Sequence, residues 1–236
     1  MENEILKSIR GGLIVSCQAL KEEPLHSSYI MQRMAVAAMQ GGAVGIRANT
    51  VEDIQAIREE VSLPVIGIIK RVYSDSEVYI TPTMREVEAL IAIGTEIIAM
   101  DSTSRVRPNG IDLETFFKAV RQRYPDQLFM ADCSTFEEGM KAAELGFDII
   151  GTTLHGYTDY TKRTTLPNLD LIRQLVKKTG KPVIAEGGIW TPDQLKEAMD
   201  AGVLAAVVGT AITRPREITR RFVSEIEFAN LLKEKQ

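Results

Sequence analysis

Eight short apolar runs recur along the 236-residue chain, and a polar residue or a glycine stands at the end of each run. In chain order these endings are Gln18, Arg47, Lys70, Asp101, Asp132, Thr152, Glu186 and Gly209. A turn-like stretch and a helix-like pattern follow every run. If the runs are parallel strands of one barrel, all eight endings meet at one rim. The pattern therefore predicts a rim that carries a lysine, an arginine, three carboxylates and a glycine turn, which makes it a candidate active site.

Helix start and stop signals repeat along the chain at matching offsets. Four glycines follow helical patterns as C-terminal capping glycines do, and they are Gly42, Gly94, Gly146 and Gly202. Three helical patterns begin with the capping-box spacing, in which Glu or Gln follows a threonine three residues later. The pairs are Thr83 with Glu86, Thr135 with Glu138, and Thr191 with Gln194. Because each box has the same distance to its glycine stop, the boxes indicate repeated units.

The alternation of strand and helix patterns predicts the fold class. The odd-numbered runs are nearly continuously apolar, as expected for strands that are covered on both faces. Helical patterns separate the runs at 29–40, 51–61, 84–93, 113–123, 136–145, 169–179, 193–201 and 218–233. Eight strand–helix units predict an α/β fold, a (β/α)8 TIM barrel, as a single domain over residues 1–236. The alternative is a doubly wound open sheet, which does not require eight units of such even size.

Composition excludes several classes of function. The net charge of −4 argues against a nucleic-acid partner. Cys17 and Cys133 lie in or just after apolar runs, so we expect both thiols to be buried and reduced. The chain shows no signal-peptide pattern and no run of roughly 20 apolar residues, so we expect a cytoplasmic protein with no membrane partner.

The turns after the seventh and eighth runs are candidate phosphate-binding loops. The sequence AEGGI places Gly187 and Gly188 after the seventh run, and VVGTAITRP places Gly209 and Thr210 after the eighth. In barrels these two loops commonly bind a phosphate through backbone N–H groups and a helix N-terminus. Arg214 follows and can add a charge-assisted hydrogen bond. The alternative is that the glycines only permit tight turns.

Lys70 and Glu186 are the candidate proton-transfer groups. Each ends an apolar run, and a charge in that position costs desolvation unless it has a partner or a function. One interpretation is a buried salt bridge between the two. The other is proton transfer, with the pKa of Lys70 lowered by burial and by the neighbouring Arg47 so that it can act as a base. Glu186 is then either the second proton-transfer group or the group that orients the lysine.

The remaining polar endings are candidate substrate contacts or structural groups. Gln18 and Arg47 offer donors to a substrate, and Asp132 is expected either to hold Lys70 or to accept a sugar hydroxyl. Asp101 is either a site residue or a cap for the next loop. Of the two histidines, we expect His26 to be exposed and His155 to line the pocket. No metal-ligand spacing is visible, so no metal site is predicted.

Eight segments at these strand ends resemble the N-acetylmannosamine-6-phosphate 2-epimerase family of bacterial sialic acid catabolism. They are SCQA at 16–19, GIRAN at 45–49, GIIKR at 67–71, ITPT at 80–83, ADCST at 131–135, GTTLHGYT at 151–158, IAEGGIWTP at 184–192 and VVGTAITRP at 207–215. By this resemblance Lys70 and Glu186 match the catalytic pair. The matching substrate contacts are Gln18, Arg47 and Asp132, with Tyr157 as a pocket residue, and the matching phosphate residues are Gly188, Gly209 and Arg214.

The resemblance implies epimerisation at C2 of an amino sugar phosphate without cofactor or metal. The proton at C2 leaves to give an enolate-type intermediate and returns on the opposite face. The alternatives are a Schiff-base aldolase or lyase, a metal-dependent pentulose-phosphate epimerase, which would need ligating histidines, and a non-catalytic sugar-phosphate binder. Oligomeric state stays open, because the stretch 218–233 can pack on its own barrel or on a partner in a homodimer. The stretch 72–83 is a candidate closing loop.

Overall fold

A computed structural model describes residues 3–233, and the side chains of residues 3–229. Eight parallel strands form a closed barrel in chain order, with β1 hydrogen-bonded to β8. The strands are β1 (Leu13–Cys17), β2 (Gly45–Asn49), β3 (Val65–Ile68), β4 (Ile97–Asp101), β5 (Leu128–Asp132), β6 (Ile149–Gly151), β7 (Val183–Glu186) and β8 (Ala205–Val208). This topology confirms the TIM-barrel prediction. The assignment of residues 1–236 to one domain extends past the described residues and stays a prediction.

The helices agree with the predicted pattern and add two short elements. They are α1 (Glu4–Ile9), α2 (Ser28–Gln40), α3 (Val51–Glu60), α4 (Met84–Ala92), α5 (Leu113–Arg123), α6 (Phe136–Leu145), α7 (Leu169–Lys178), α8 (Pro192–Asp200), α9 (Thr210–Thr213) and α10 (Pro215–Lys233). The short helices α1 and α9 were not predicted, and the last helix begins at Pro215 rather than at residue 218. Capping boxes start α4, α6 and α8 as predicted. The four glycine stops all adopt positive φ, the conformation that glycine tolerates best.

Two strand ends differ from the sequence prediction by two residues, and the others agree to within one. Strand β2 continues past Arg47 to Asn49, so the arginine lies inside the strand, and β3 ends at Ile68, two residues before Lys70. Lys70 is nevertheless held in place, because its N–H donates to Asn49 Oδ1 at 2.8 Å and its backbone pairs with Ile80. The side chain of Lys70 therefore begins just beyond the C-terminal end of β3, at the rim of the barrel.

Apolar side chains fill the barrel interior toward its N-terminal end. Ile14, Ile97 and Ile149 are fully buried there, and α1 adds Leu6 and Ile9 to the same cluster. A second cluster lies between the strands and the surrounding helices. Because burying an unpaired polar group costs free energy, this packing leaves the C-terminal ends of the strands as the place where charged side chains face a cavity.

Candidate active site

A cavity of about 1290 Å³ opens at the C-terminal ends of the strands. Ten of the eleven predicted site residues line it: Gln18, Arg47, Lys70, Tyr157, Glu186, Gly187, Gly188, Gly209, Thr210 and Arg214. The eleventh, Asp132, is completely buried and does not line the cavity. The structure thus brings side chains from six strand ends to one place, as the rim of a barrel requires.

Arg47 is the buried cation at the centre of the site. It forms a bidentate pair with Asp132, with Nη1–Oδ1 at 3.1 Å and Nη2–Oδ2 at 2.6 Å. Its Nη1 also lies 3.0 Å from Glu186 Oε2. Burial opposes the charge of the guanidinium, but Asp132 and Glu186 together raise the pKa of Arg47. Arg47 therefore remains a fixed positive charge at the cavity floor.

Glu186 ends β7 with a carboxyl group that is only 14% exposed. Burial raises the pKa of Glu186 to about 7, and the nearby charge of Asp132 acts in the same direction, while Arg47 opposes the shift. The carboxyl group can therefore be protonated or ionised near neutral pH. This is the property that a general acid–base group requires.

Lys70 faces the same cavity from the opposite side of the barrel, because β3 and β7 are four strands apart in an eight-stranded ring. Burial lowers the pKa of Lys70 to about 8, and the positive charges of Arg47 and Arg214 contribute to the shift. Among the described residues, no carboxylate forms a salt bridge with its amine. The interpretation of Lys70 and Glu186 as a structural ion pair is therefore wrong, since Glu186 pairs with Arg47 instead.

Asp132 supports the site from behind the cavity wall. The expectation that it holds Lys70 is wrong, because its two oxygens bind Arg47. Its Oδ1 also accepts a hydrogen bond from Thr153 Oγ1 at 2.6 Å. Thr153 lies 3.1 Å from Glu186 Oε2 as well and lines the cavity. Sequence reasoning missed Thr153, because the sixth apolar run ends at a pair of threonines and nothing in the pattern distinguishes the second.

Gln18 has an unsatisfied acceptor next to the cavity. Its Nε2 donates to Ser16 Oγ at 2.8 Å, whereas its Oε1 is buried without a hydrogen-bond partner. An unpaired buried acceptor costs about 1–3 kcal/mol. Gln18 is thus poised to turn toward a ligand that offers a donor.

The two glycine turns differ in why they contain glycine. Gly188 has a φ of 71°, and a Cβ there would lie 2.2 Å from Leu166 Cβ. The shape of the turn is therefore enough to require a glycine at this position. Gly209 has no such conformational requirement, and an added Cβ would lie 3.1 Å from Ser16 Cβ. Among the described residues, the N–H groups of Gly188, Gly209 and Thr210 have no acceptor. These donors remain for an anion at the edge of the cavity.

Arg214 lies beside these donors and is held by an acidic residue of the loop after β1. Its Nη2 is 3.2 Å from Glu23 Oε2, and Glu23 also accepts a hydrogen bond from the Leu20 N–H at 2.7 Å. Arg214 lines the cavity, whereas Glu23 does not. The glutamate therefore orients the arginine without occupying the space in which an anion would bind.

The other polar residues have structural roles or lie at the surface. Asp101 accepts from the Thr103 N–H at 3.0 Å and pairs with Arg105 at 2.6 Å, which confirms the loop-cap interpretation. His26 is exposed, as expected. His155 does not line the cavity, so that expectation is wrong. It is buried, with Nδ1 2.7 Å from the Ser134 carbonyl oxygen. Among residues 3–233 the structure shows no cluster of side chains that could hold a metal ion.

The loop that was predicted to close over the ligand lies at the cavity mouth. Val72, Tyr79 and Ile80 line the cavity, and Val72 is 86% exposed. The loop is tied down between Lys70 and Ile80, and again between Tyr73 and Ser76. Closure of this loop stays a prediction.

Comparison with known proteins points to one family. The family model described as "Putative N-acetylmannosamine-6-phosphate epimerase" matches residues 31–228. A protein of Caldanaerobacter subterraneus subsp. tengcongensis, named "Putative N-acetylmannosamine-6-phosphate 2-epimerase", is 53% identical over 96% of this chain and 96% of its own length. A protein of the same name from Listeria monocytogenes is 51% identical over 96% of this chain and 97% of its own length.

Solved structures agree with this assignment. The structure of the N-acetylmannosamine-6-phosphate 2-epimerase from Clostridium perfringens superposes with a TM-score of 0.90 at 53% identity, covering 95% of this chain and 97% of that one. A thiamine phosphate pyrophosphorylase from Pyrococcus furiosus reaches a TM-score of 0.61 at 17% identity, covering 92% of this chain and 93% of that one. The second likeness is one of fold alone.

Proposed function

The chain belongs to the N-acetylmannosamine-6-phosphate epimerase family and acts as a carbohydrate epimerase, and we propose that Lys70 and Glu186 exchange the proton at C2 of the substrate. The reaction interconverts N-acetylmannosamine 6-phosphate and N-acetylglucosamine 6-phosphate. The observation that carries the proposal is that two groups with shifted pKa values line one cavity and follow strands that are four apart in the eight-stranded ring. A base on one face of the carbon and an acid on the other produce inversion directly.

The proton balance of this reaction uses neutral Lys70 and protonated Glu186. Lys70 takes the C2 proton of the open-chain mannosamine form, and the electron pair moves to the aldehyde oxygen to give an enolate. Glu186 then delivers its proton to the opposite face of C2, and the carbonyl group re-forms. Afterwards the Lys70 ammonium loses one proton to solvent and the Glu186 carboxylate gains one, which restores the starting state. In the reverse direction the two residues exchange roles.

Arg47 and Gln18 are proposed to stabilise the charged intermediate and to hold the substrate. The fixed charge of Arg47 lies beside the reacting groups and is only 1% exposed. Electrostatic stabilisation of a developing oxyanion is strongest where water is excluded. Gln18 Oε1 is unsatisfied, so a substrate amide or hydroxyl group that donates to it removes an existing cost. Asp132 contributes by holding Arg47, and Tyr157 lines the cavity beside them.

The sugar phosphate is proposed to bind at the turns after β7 and β8. Support comes from the free N–H groups of Gly188, Gly209 and Thr210, with Gly187 in the same turn, and from Arg214 at the cavity edge. Anchoring the phosphate far from C2 supplies binding energy that orients the reacting carbon.

Turnover in heavy water tests the proposed reaction directly. Incubation of N-acetylmannosamine 6-phosphate with the protein in D2O is expected to give N-acetylglucosamine 6-phosphate with deuterium at C2. Proton NMR measures this as loss of the C2 proton signal. Deuterium enters because Lys70 and Glu186 exchange their protons with solvent between turnovers. An epimer free of deuterium contradicts solvent-exchanging acid and base groups, and no epimer at all supports a non-catalytic binder. A covalent adduct trapped by borohydride would support the Schiff-base alternative.

We further propose that the protein is a homodimer in which α10 packs on a second copy. In the structure every side chain of α10 from residue 219 to 229 is exposed, although Arg221 lies over the Trp190 ring. Phe222 is 71% exposed, Ile226 62% and Val223 44%. These three lie on one side of the helix by their i, i+3 and i+4 spacing. An apolar row of this kind on a soluble protein marks an interaction surface.

Light scattering with size-exclusion chromatography tests the dimer. The native protein is expected at twice its chain mass of 26.2 kDa, and a Phe222→Glu/Ile226→Glu double variant at the mass of one chain, because two carboxylates cannot be buried in an apolar contact. Ser224→Glu, which adds a charge on the opposite side of α10, is the matched control and stays dimeric. A native protein at the mass of a single chain contradicts the proposal.

A cytoplasmic location is likewise proposed. Cys17 and Cys133 are both free and buried, which is typical of proteins from reducing compartments. None of the helices within residues 3–233 has the length and apolar character needed to cross a bilayer.

A further inference from the structure

A single hydroxyl group stands between the two buried carboxylates of the active site. Thr153 Oγ1 lies 2.6 Å from Asp132 Oδ1 and 3.1 Å from Glu186 Oε2. Thr153 comes directly after Thr152, whose own hydroxyl exchanges hydrogen bonds with the backbone of Glu186 at 2.8 and 3.0 Å. The threonine pair therefore fixes both the main chain and the side chain of Glu186.

The contacts of Glu186 distinguish its two oxygens. Arg47 Nη1 and Thr153 Oγ1 both approach Oε2, at 3.0 and 3.1 Å. Among the described residues, Oε1 has no hydrogen-bond partner, and it is not one of the buried unsatisfied atoms. Oε2 is thus the anchored oxygen and Oε1 the oxygen that is open to the cavity. A proton that reacts with a substrate must be carried on Oε1.

The hydroxyl of Thr153 has one hydrogen, so it can donate to only one of the two carboxylates at a time. The 2.6 Å contact with Asp132 has the length of a hydroxyl group that donates to a carboxylate, which places the hydrogen on the Asp132 side. Asp132 is also bound on both oxygens by Arg47. The observed geometry therefore fits Glu186 in its neutral form, when Oε2 needs no additional donor.

When Glu186 loses its proton, its Oε2 needs an additional hydrogen-bond donor. When Oε1 gives its proton to C2, the Oε1–H bond breaks, a C–H bond forms, and the electron pair stays on the carboxylate. The new negative charge is shared with Oε2, which then requires a donor. Rotation about the Cβ–Oγ1 bond of Thr153 supplies one, because the hydroxyl oxygen is already within hydrogen-bond distance. Asp132 meanwhile keeps its two bonds to Arg47.

We propose that Thr153 is a positioning residue for the epimerisation, whose single hydroxyl hydrogen moves from Asp132 to Glu186 when Glu186 gives up its proton. The inference rests on the proposed role of Glu186 as the second proton-transfer group. A hydrogen bond to a charged group contributes about 1.5–3 kcal/mol, so removal of the hydroxyl slows proton delivery while substrate binding is largely retained.

The test uses Thr153→Val, which keeps the shape of the side chain and removes the hydroxyl, and Thr153→Ala as a second variant without it. For both, kcat is expected to fall about 10- to 100-fold, in line with one lost charged hydrogen bond, with KM within about threefold. Thr153→Ser, which restores the hydroxyl, is expected to recover kcat to within about threefold of the native value. Thr164→Val is the matched control, since Thr164 is exposed in the same loop and bonds only to the Thr161 carbonyl oxygen.

Deuterium partitioning separates a positioning role from a purely structural one. In D2O the enolate either receives a proton from Glu186 to give the epimer or returns to the starting sugar by way of Lys70. In Thr153→Val the proton is delivered more slowly from Glu186, so more of the enolate returns to the starting sugar. The amount of deuterated starting sugar divided by the amount of epimer formed is therefore expected to rise. A general loss of structure lowers both rates together and leaves this ratio unchanged.

The outcomes also separate this inference from the proposed function. If Thr153→Val and Thr153→Ala match the native kcat, or if their partition ratio equals the native one, Thr153 is not a positioning residue. If a Lys70→Met variant still exchanges the C2 proton, the proposed catalytic pair itself is wrong. Loss of exchange in Lys70→Met together with native behaviour of the Thr153 variants overturns only the inference about Thr153.

Discussion

Replacing Lys70 with methionine is expected to lower kcat by about 10⁴-fold, the upper end of what a general base contributes. Methionine has a similar length and fills the same space, but it cannot take a proton. In the structure, Lys70 and Glu186 line the cavity from opposite sides of the barrel. Among the described residues that line this cavity, the other lysine is Lys21, which belongs to the loop after β1 and does not lie near the barrel axis. The measurement is the rate of epimer formation together with deuterium exchange at C2.

The same substitution is expected to leave the fold intact or to stabilise it. The pKa of Lys70 falls from 10.5 to about 8 on folding, so the folded state disfavours the charged amine. Below pH 8 this charge therefore reduces stability, and the penalty disappears as the pH rises above 10.5. Thermal unfolding followed by circular dichroism should show an equal or higher midpoint at pH 7. Lys177→Met, on the exposed side of α7, is the control with native activity, and substantial turnover by Lys70→Met would remove Lys70 from the central role.

The pH dependence of kcat/KM is expected to be bell-shaped for the native protein and to lose one limb in Glu186→Gln. The pKa values of about 7 for Glu186 and about 8 for Lys70 belong to two interacting groups. Below the lower value both groups are protonated and no base is present. Above the higher value both have lost their protons and no acid is present. The native maximum therefore lies between pH 7 and pH 8.

Glu186→Gln removes the acid and keeps the size and polarity of the side chain. Its residual kcat/KM is expected to be about 10²- to 10⁴-fold lower and to rise with pH to a plateau, since only Lys70 still has to lose a proton. The midpoint should lie below that of native Lys70, because the charge of Glu186 raises the pKa of the lysine. Glu52→Gln, at the cavity mouth, is the charge-matched control. A bell-shaped profile that survives in Glu186→Gln would show that another group supplies the second proton.

Most of the fold was predictable because its signals are local and repeated. The capping boxes at Thr83, Thr135 and Thr191 start helices through contacts within four residues, and continuous apolar runs identify strands that are buried on both sides. The short helices α1 and α9 were missed because α1 is stabilised by burial of Leu6 and Ile9 in the barrel interior, while α9 is a single turn at the end of β8. The capping of α1 by Asn3 is a local signal, but the burial of Leu6 and Ile9 against the barrel is not.

The candidate site was predictable as a set of residues but not as a set of contacts. Parallel strands in a barrel must gather their ends, so ten predicted residues share one cavity. Which carboxylate pairs with which cation depends on side chains from β2, β5 and β7 that meet in three dimensions. The alternative in which Asp132 holds Lys70 and the expected placement of His155 in the pocket failed for this reason, and Thr153 went unnoticed.

The sequence by itself determined the barrel, the rim and the residue types that face the cavity, because strand alternation and helix capping act over a few residues. Only the tertiary structure decided that Arg47 holds Asp132 and Glu186 together, so that no carboxylate within the described part of the chain is in salt-bridge contact with Lys70. The physical reason is that desolvation and charge pairing depend on distances between residues far apart in the chain. Those distances shift the pKa values of Lys70 and Glu186 toward each other, and a list of strand endings does not contain them.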